Sequence, residues 1–188
     1  MSIRASVRRY LPGILGIICT FNLGRAAIVD SSAAGFTVKN AVTVSKSPEE
    51  VYARMLEVGK WWSAAHTFSG KSMNLSIDAS ANGCFCEKLE GGGSVRHLTV
   101  VFADPGKTLR MVGGLGPLQS MAVEGTMTWS LAKSGNGTTI EMIYTVGGYH
   151  PGGLQSIARP VDGVLLDQLL RLRNYIEKGD PKIDAEKK

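Results

Sequence analysis

The 188-residue sequence has no internal repeat, no low-complexity linker and, beyond its first 34 residues, no run of basic residues before the final Lys187-Lys188. Without repeats or linkers, the chain is one domain's worth, and at 44% hydrophobic it can bury a sizeable core. The missing basic run matters because a pI of about 9.2 would otherwise invite a nucleic-acid partner. In the first 34 residues, Arg4, Arg8, Arg9 and Arg25 stand against Asp30 alone, so three of the five net positive charges lie there and +2 is left for the rest. A domain that mild gives no electrostatic case for nucleic acid. A nucleotide loop is missing as well: Gly113-Gly114-Leu115-Gly116-Pro117-Leu118 has the glycines but neither the Lys-Ser/Thr ending nor a following helix. The cysteines are few, and Cys84 and Cys86 match no standard zinc spacing, so no metal and no cofactor is expected.

What stands at the N-terminus reads as an export signal. Met1 to Tyr10 carries three arginines and no acid, and Leu11 to Leu23 is mainly apolar but interrupted by Pro12, Gly13 and Asn22. That stretch is short for a bilayer span and suits a signal h-region, with an uncleaved anchor as the alternative. Small residues follow, and cleavage fits after Ala26, Ala27 or Ala34. The expected organisation is a signal peptide and leader over 1–34, a domain over 35–179 and a polar tail over 180–188. An exported or periplasmic location follows, with no stable membrane insertion once the signal is removed.

The segment from Pro160 to Lys178 organises the domain. Val161, Val164, Leu165, Leu169, Leu172 and Ile176 recur at spacings of three and four, which puts them on one face of a long amphipathic helix. Pro160 suits a first helical position, and Gly179 with Pro181 supplies the stop. Upstream, Phe36 to Ser45 alternates with period two and reads as the first strand. Ser47-Pro48-Glu49-Glu50 then opens a short helix as a capping box. About six strand segments follow between Ser72 and Val146, punctuated by Asn82-Gly83, Gly91-Gly92-Gly93, Asp104-Pro105-Gly106 and Asn136-Gly137. The only partner large enough for the helical stripe is the concave face of that sheet, an arrangement that often leaves an apolar cavity between them. The expected class is α+β, a curved antiparallel sheet of six to seven strands around the C-terminal helix.

These residues together resemble a known superfamily. A strand, then Ser-Pro-Glu-Glu-Val-Tyr opening a short helix, Trp61-Trp62, a meander with Asp104-Pro105-Gly106-Lys107-Thr108-Leu109, and a terminal amphipathic helix are similar to the SRPBCC superfamily. Its START or Bet v 1-like members share the helix-grip fold. Val44 to Trp62 looks most like the branch that groups activators of the Hsp90 ATPase with polyketide cyclase-like proteins. The resemblance covers about residues 36 to 178. It implies the fold but no universal catalytic motif, because the superfamily includes lipid carriers, receptors, cyclases and chaperone co-factors. The export signal argues against a cytosolic Hsp90 partner.

Several side chains are candidates for chemistry. Trp61, Trp62, His66 and Phe68 fall where the resembling fold has the mouth of its cavity, and serve either as an aromatic clamp or as core. Cys84 and Cys86 share one strand face, with Phe85 and Glu87 on the other. Two strand residues span about 6.6 Å, at the edge of disulfide reach, so free thiols, a labile bridge and a metal pair remain the alternatives. By the same alternation His97 shares a face with Val95, Thr99 and Val101, opposite Arg96, Leu98 and Val100. His66, Glu87 and His97 are the acid/base candidates. Tyr149 and His150, in a glycine-rich run before the long helix, form a lid or a plain connector.

The leading expectation is an exported protein that binds a small apolar, aromatic or lipid-like molecule between sheet and helix. The expected pocket takes Trp61, Trp62, His66, Phe68, Met121, Trp129, Tyr149 and His150, with Leu165 and Leu169 from the helix. A cyclase- or dehydrase-type enzyme using the same cavity is the second reading, favoured if two of the acid/base groups converge there. An envelope protein-interaction module is the third.

Overall fold

A computed structural model of the chain describes residues 25–183. Of the segment 1–34 read as signal peptide and leader, residues 1–24 lie outside the described residues, as do the last five residues of the expected tail. Eight strands form one antiparallel sheet in the order β1-β2-β8-β7-β6-β5-β4-β3. They are β1 (Arg25–Ser31), β2 (Gly35–Val44), β3 (Leu75–Ile77), β4 (Cys84–Lys88), β5 (Ser94–Asp104), β6 (Thr108–Gly113), β7 (Ala122–Ser134) and β8 (Gly137–Tyr149). Between β2 and β3 come two short helices, α1 (Pro48–Leu56) and α2 (Val58–Trp61), and the chain closes with the long α3 (Gln155–Lys178). This is the expected α+β helix-grip fold, with more strands than the six to seven expected. Part of that difference is β1, which lies ahead of the strand read as first and pairs with β2 from Arg25↔Ala41 to Ser31↔Phe36.

Local chemistry explains the start of α1 and the end of α3. Ser47 caps α1, its hydroxyl accepting from the Glu50 N–H at 3.3 Å, with Pro48 at the first position. β2 buries every second residue as its alternation requires. Helix α3 ends where Gly179 adopts φ 74° and its N–H returns to the Tyr175 carbonyl at 3.0 Å. Its start differs from the expectation, because Pro160 is the sixth helical residue rather than the first. At that position the missing N–H leaves the Ser156 carbonyl without its i−4 donor, a loss of one internal hydrogen bond near the helix start.

Helix α3 lies mainly on β2 and β1 and also touches α1 and α2. Leu165, Leu169, Leu172 and Ile176 are buried, as the stripe predicts. Polar ties then fix its placement. Buried Gln168 accepts from the Ser63 N–H at 2.8 Å, Arg171 donates to the Trp61 carbonyl at 3.0 Å, and Glu177 accepts from the Ser45 hydroxyl at 2.6 Å. These bonds hold the helix to the turn after α2 and to the end of β2.

Two irregularities in β5 shape the concave side. The pairing runs Phe85↔Leu98 and then Cys86↔Arg96, which leaves His97 as an extra residue; on the other edge it runs Val100↔Met111 and then Phe102↔Arg110, leaving Val101 extra. Each bulge interrupts strict alternation. His97, Leu98 and Val100 are all buried while Val101 and Phe102 are both exposed. The assignment of His97 to the face opposite Leu98 and Val100 is therefore corrected by the bulge.

Candidate functional site

Between the sheet and the N-terminal half of α3 lies a cavity of about 350 Å³. The helix contributes Ile157, Pro160, Val161, Val164 and Leu165. Facing them from the sheet are Leu75, Phe85, His97 and Tyr144, while Trp62, His66 and Phe68 close one side and Leu115, Leu118 and Met121 another. The helix thus divides its stripe. Val161 and Val164 line space, whereas Leu169, Leu172 and Ile176 pack solidly. No lysine, arginine, aspartate or glutamate lies in this wall.

Tyr144 positions one side of the cavity. Its hydroxyl donates to the Gly113 carbonyl at 2.9 Å and accepts from the Leu115 N–H at 3.1 Å, so it tethers the 113–118 segment to β8. Burial pushes its pKa up to about 12, against the opposing effect of the Leu115 N–H. The ring has room because β7 carries Gly125 two residues from Met127, the register partner of Tyr144, where a Cβ would come within 2.4 Å of the ring. The glycine-rich segment that lacks a nucleotide-loop ending is thus a wall of this cavity.

The polar end is a buried pair. Glu87 and His97 are 1% and 4% exposed, and His97 Nε2 meets Glu87 Oε2 at 3.0 Å. Glu87 also accepts the N–H of Phe68 at 3.1 Å and that of Ser69, tying the 66–70 loop to β4. Burial pushes the Glu87 carboxyl up, but bonds from Ser69, the Phe68 N–H and His97 outweigh it and hold the group below its ordinary value. Burial likewise pushes the His97 imidazole down, against the pull of Glu87. An ionised carboxylate only accepts, so Nε2 carries the proton and Nδ1 is bare. Nδ1 is buried without a partner.

Of the residues expected at the pocket, Trp62, His66, Phe68, Met121 and Leu165 meet there. Trp61 and Trp129 do not; they pack edge to face at 6.1 Å in the core, beside a void of about 10 Å³. Leu169 is wholly buried and outside the cavity wall. Tyr149 is 71% exposed, because β8 runs on through the glycines to pair it with Ala122, and His150 follows it outside the wall. Of the acid/base candidates, His66 and His97 line the cavity, and Glu87 stands behind His97. Sequence reasoning missed Tyr144 and Phe85, whose inward alternation was visible but identical to that of ordinary core.

Cys84 and Cys86 form a disulfide with Cα atoms 5.4 Å apart. That is shorter than two regular strand residues span, and the contraction lies across from the β5 bulge at His97. Among the described residues no group of three or more His, Cys, Asp or Glu is placed to hold a metal ion, and no helix is long and apolar enough to cross a membrane.

No family model matches the chain, and no curated protein matches it. Solved structures do. A conserved protein of unknown function, EF2215 from Enterococcus faecalis, superposes with a TM-score of 0.59 at 14% identity, covering 85% of this chain and 83% of that one. CalU16 from Micromonospora echinospora gives 0.52 at 14% identity, over 85% and 86%. The Aha1 dimer structure from Colwellia psychrerythraea gives 0.50 at 17% identity, over 76% and 97%. At such identities the likeness establishes the helix-grip fold, which the cavity between sheet and α3 had already outlined.

Proposed function

We propose that the protein is exported and binds a small apolar or ring-containing molecule between the sheet and α3, as carrier, sensor or scavenger. The observation that supports this reading is the 350 Å³ cavity, walled mostly by apolar side chains. An empty apolar volume forgoes dispersion contacts that core side chains would otherwise make, so a cavity retained at this size suits a guest. An engineered apolar cavity of about 150 Å³ admits benzene. This one has room for roughly two fused rings. Export rests on the arginine-rich, apolar N-terminal pattern.

Native mass spectrometry of the protein purified gently from its own host tests the reading. An added mass that disappears on denaturation is expected. A clean mass, together with no binding of the neutral probe N-phenyl-1-naphthylamine, overturns it. One observation favours a second reading, an acid/base enzyme of the cyclase or dehydrase type. The Glu87–His97 pair and His66 converge on one cavity, and a bare imidazole nitrogen backed by a carboxylate suits proton abstraction. Turnover of a bound guest abolished by His97→Gln, with binding kept, would favour that reading over carriage.

A further inference from the structure

We propose that His97 Nδ1 is the polar recognition point of the cavity, and that the guest is a neutral flat molecule carrying one hydroxyl or N–H donor, of the phenol class. This rests on the binding reading above and narrows it. Three observations carry it. First, three buried side-chain atoms among the described residues lack a hydrogen-bond partner, on Asn40, Tyr52 and His97, and of these residues only His97 lines the cavity. Its buried neighbours are satisfied: the Tyr144 hydroxyl by Gly113 and Leu115, the Trp62 indole N–H by the His66 carbonyl at 3.0 Å. A buried orphan acceptor is costly, and a donor from a guest removes that cost.

Second, the tautomer sets the polarity of the match. Glu87 already receives two backbone N–H groups and the Nε2 proton, so Nδ1 presents a lone pair. An accepting nitrogen wants a donor. A carboxylate or sulfonate guest would bring a second anion beside Glu87, and the wall holds no lysine or arginine to neutralise it. Neutral donors are therefore selected over fatty-acid-like anions, and over hydrocarbons and ethers that leave Nδ1 unpaired.

Third, the ring environment favours a flat guest. Nδ1 is buried, with Phe68 stacked on the imidazole at 5.8 Å and 23° and Phe85 tilted at 5.1 Å. Phe85 is fully buried, but Phe68 is 55% exposed. Phe68 therefore swings aside with little loss of packing, and an aromatic guest can take over its stacking place on His97 while its donor reaches Nδ1.

Four probes on one scaffold separate the terms: naphthalene, 2-methoxynaphthalene, 2-naphthol and 2-naphthoate, titrated by calorimetry at pH 7.5 against the whole protein. The expected order puts 2-naphthol roughly three- to tenfold tighter than naphthalene and the methyl ether, the range one net hydrogen bond supplies. The naphthoate binds weakest. His97→Phe removes the naphthol preference while naphthalene still binds. Should that variant fold poorly, ¹⁵N-histidine NMR of the intact protein gives a second readout. The bare Nδ1 resonance of His97 moves upfield with 2-naphthol and stays with naphthalene. Equal affinity for the three neutral probes, or a best affinity for the naphthoate, overturns the donor inference but leaves the binding site standing. Failure of all four to bind overturns the inference together with the binding reading.

Discussion

Replacing Glu87 by glutamine probes whether the buried carboxylate organises this end of the cavity. Oε2 accepts from Phe68 N–H and His97 Nε2–H, and Oε1 from Ser69 N–H. A glutamine amide has one oxygen and one NH₂, so whichever way it turns, at least one buried N–H faces another donor. One orphaned donor costs about 1–3 kcal/mol, and the bonds that remain lose their charge assistance, roughly 1 kcal/mol each. The total is about 3–5 kcal/mol. In a domain of this size that lowers Tm by roughly 6–20 °C. Thermal unfolding at pH 7.5 measures it, and hydrogen exchange should show faster opening at Phe68 and Ser69. The gap between Glu87→Gln and the parent should also shrink on acidification below the usual carboxyl value, since a protonated Glu87 resembles glutamine. A Tm change under 2 °C, or a gap independent of pH, would refute the role assigned to the carboxylate.

Three further outcomes follow from the same structure. His97 resists protonation in the fold, so its stabilising neutral form is fully present above its unfolded value of about 6.5 and is lost as pH falls below it. Melting at pH 7.5 and 5.5 should show a drop in Tm that is smaller in His97→Gln; an equal drop in both would assign the acid sensitivity to other groups. The Cys84–Cys86 bridge closes only a short loop, so its reduction should cost about 1 kcal/mol of stability, yet weaken guest binding more than that loss suggests, because the bridge faces the bulge that turns His97 inward. Calorimetry with and without dithiothreitol decides it, and unchanged affinity would separate bridge from site. A chain starting at Gly35 rather than Arg25 should melt lower by several degrees, as it loses the β1 ladder and the carbonyls of Ala33 and Ala34 that accept from Leu154 and Gly148. Equal melting of the two forms would make β1 dispensable.

Much of the architecture was legible because it depends on local pattern. The stripe from Val161 to Ile176, the capping box at Ser47 and the alternation of β2 each follow from periodicities and caps that the backbone imposes on neighbouring residues. Those patterns determined an α+β sheet gripping a helix, and the resemblance of Val44 to Trp62 agreed with them. The site was legible only in part. Trp62, His66 and Phe68 lie close together in the chain and reach one wall together, whereas Trp61 points into the core one residue earlier.

The remainder was decided by contacts between distant segments. Alternation placed His97 away from Leu98, but the register between β4 and β5 inserts it as a bulge, and pairing across strands is invisible in a single strand's sequence. That insertion brings His97 to Glu87, ten residues away, and Glu87 to the loop at Phe68 and Ser69. The same holds for Cys84 and Cys86, which ideal strand spacing set at the limit of bridging and which the local contraction of β4 brought within it. Whether an inward residue fills space or lines it depends on what the opposite layer supplies. Val164 faces a cavity and Leu169 faces packed side chains, though both belong to one stripe.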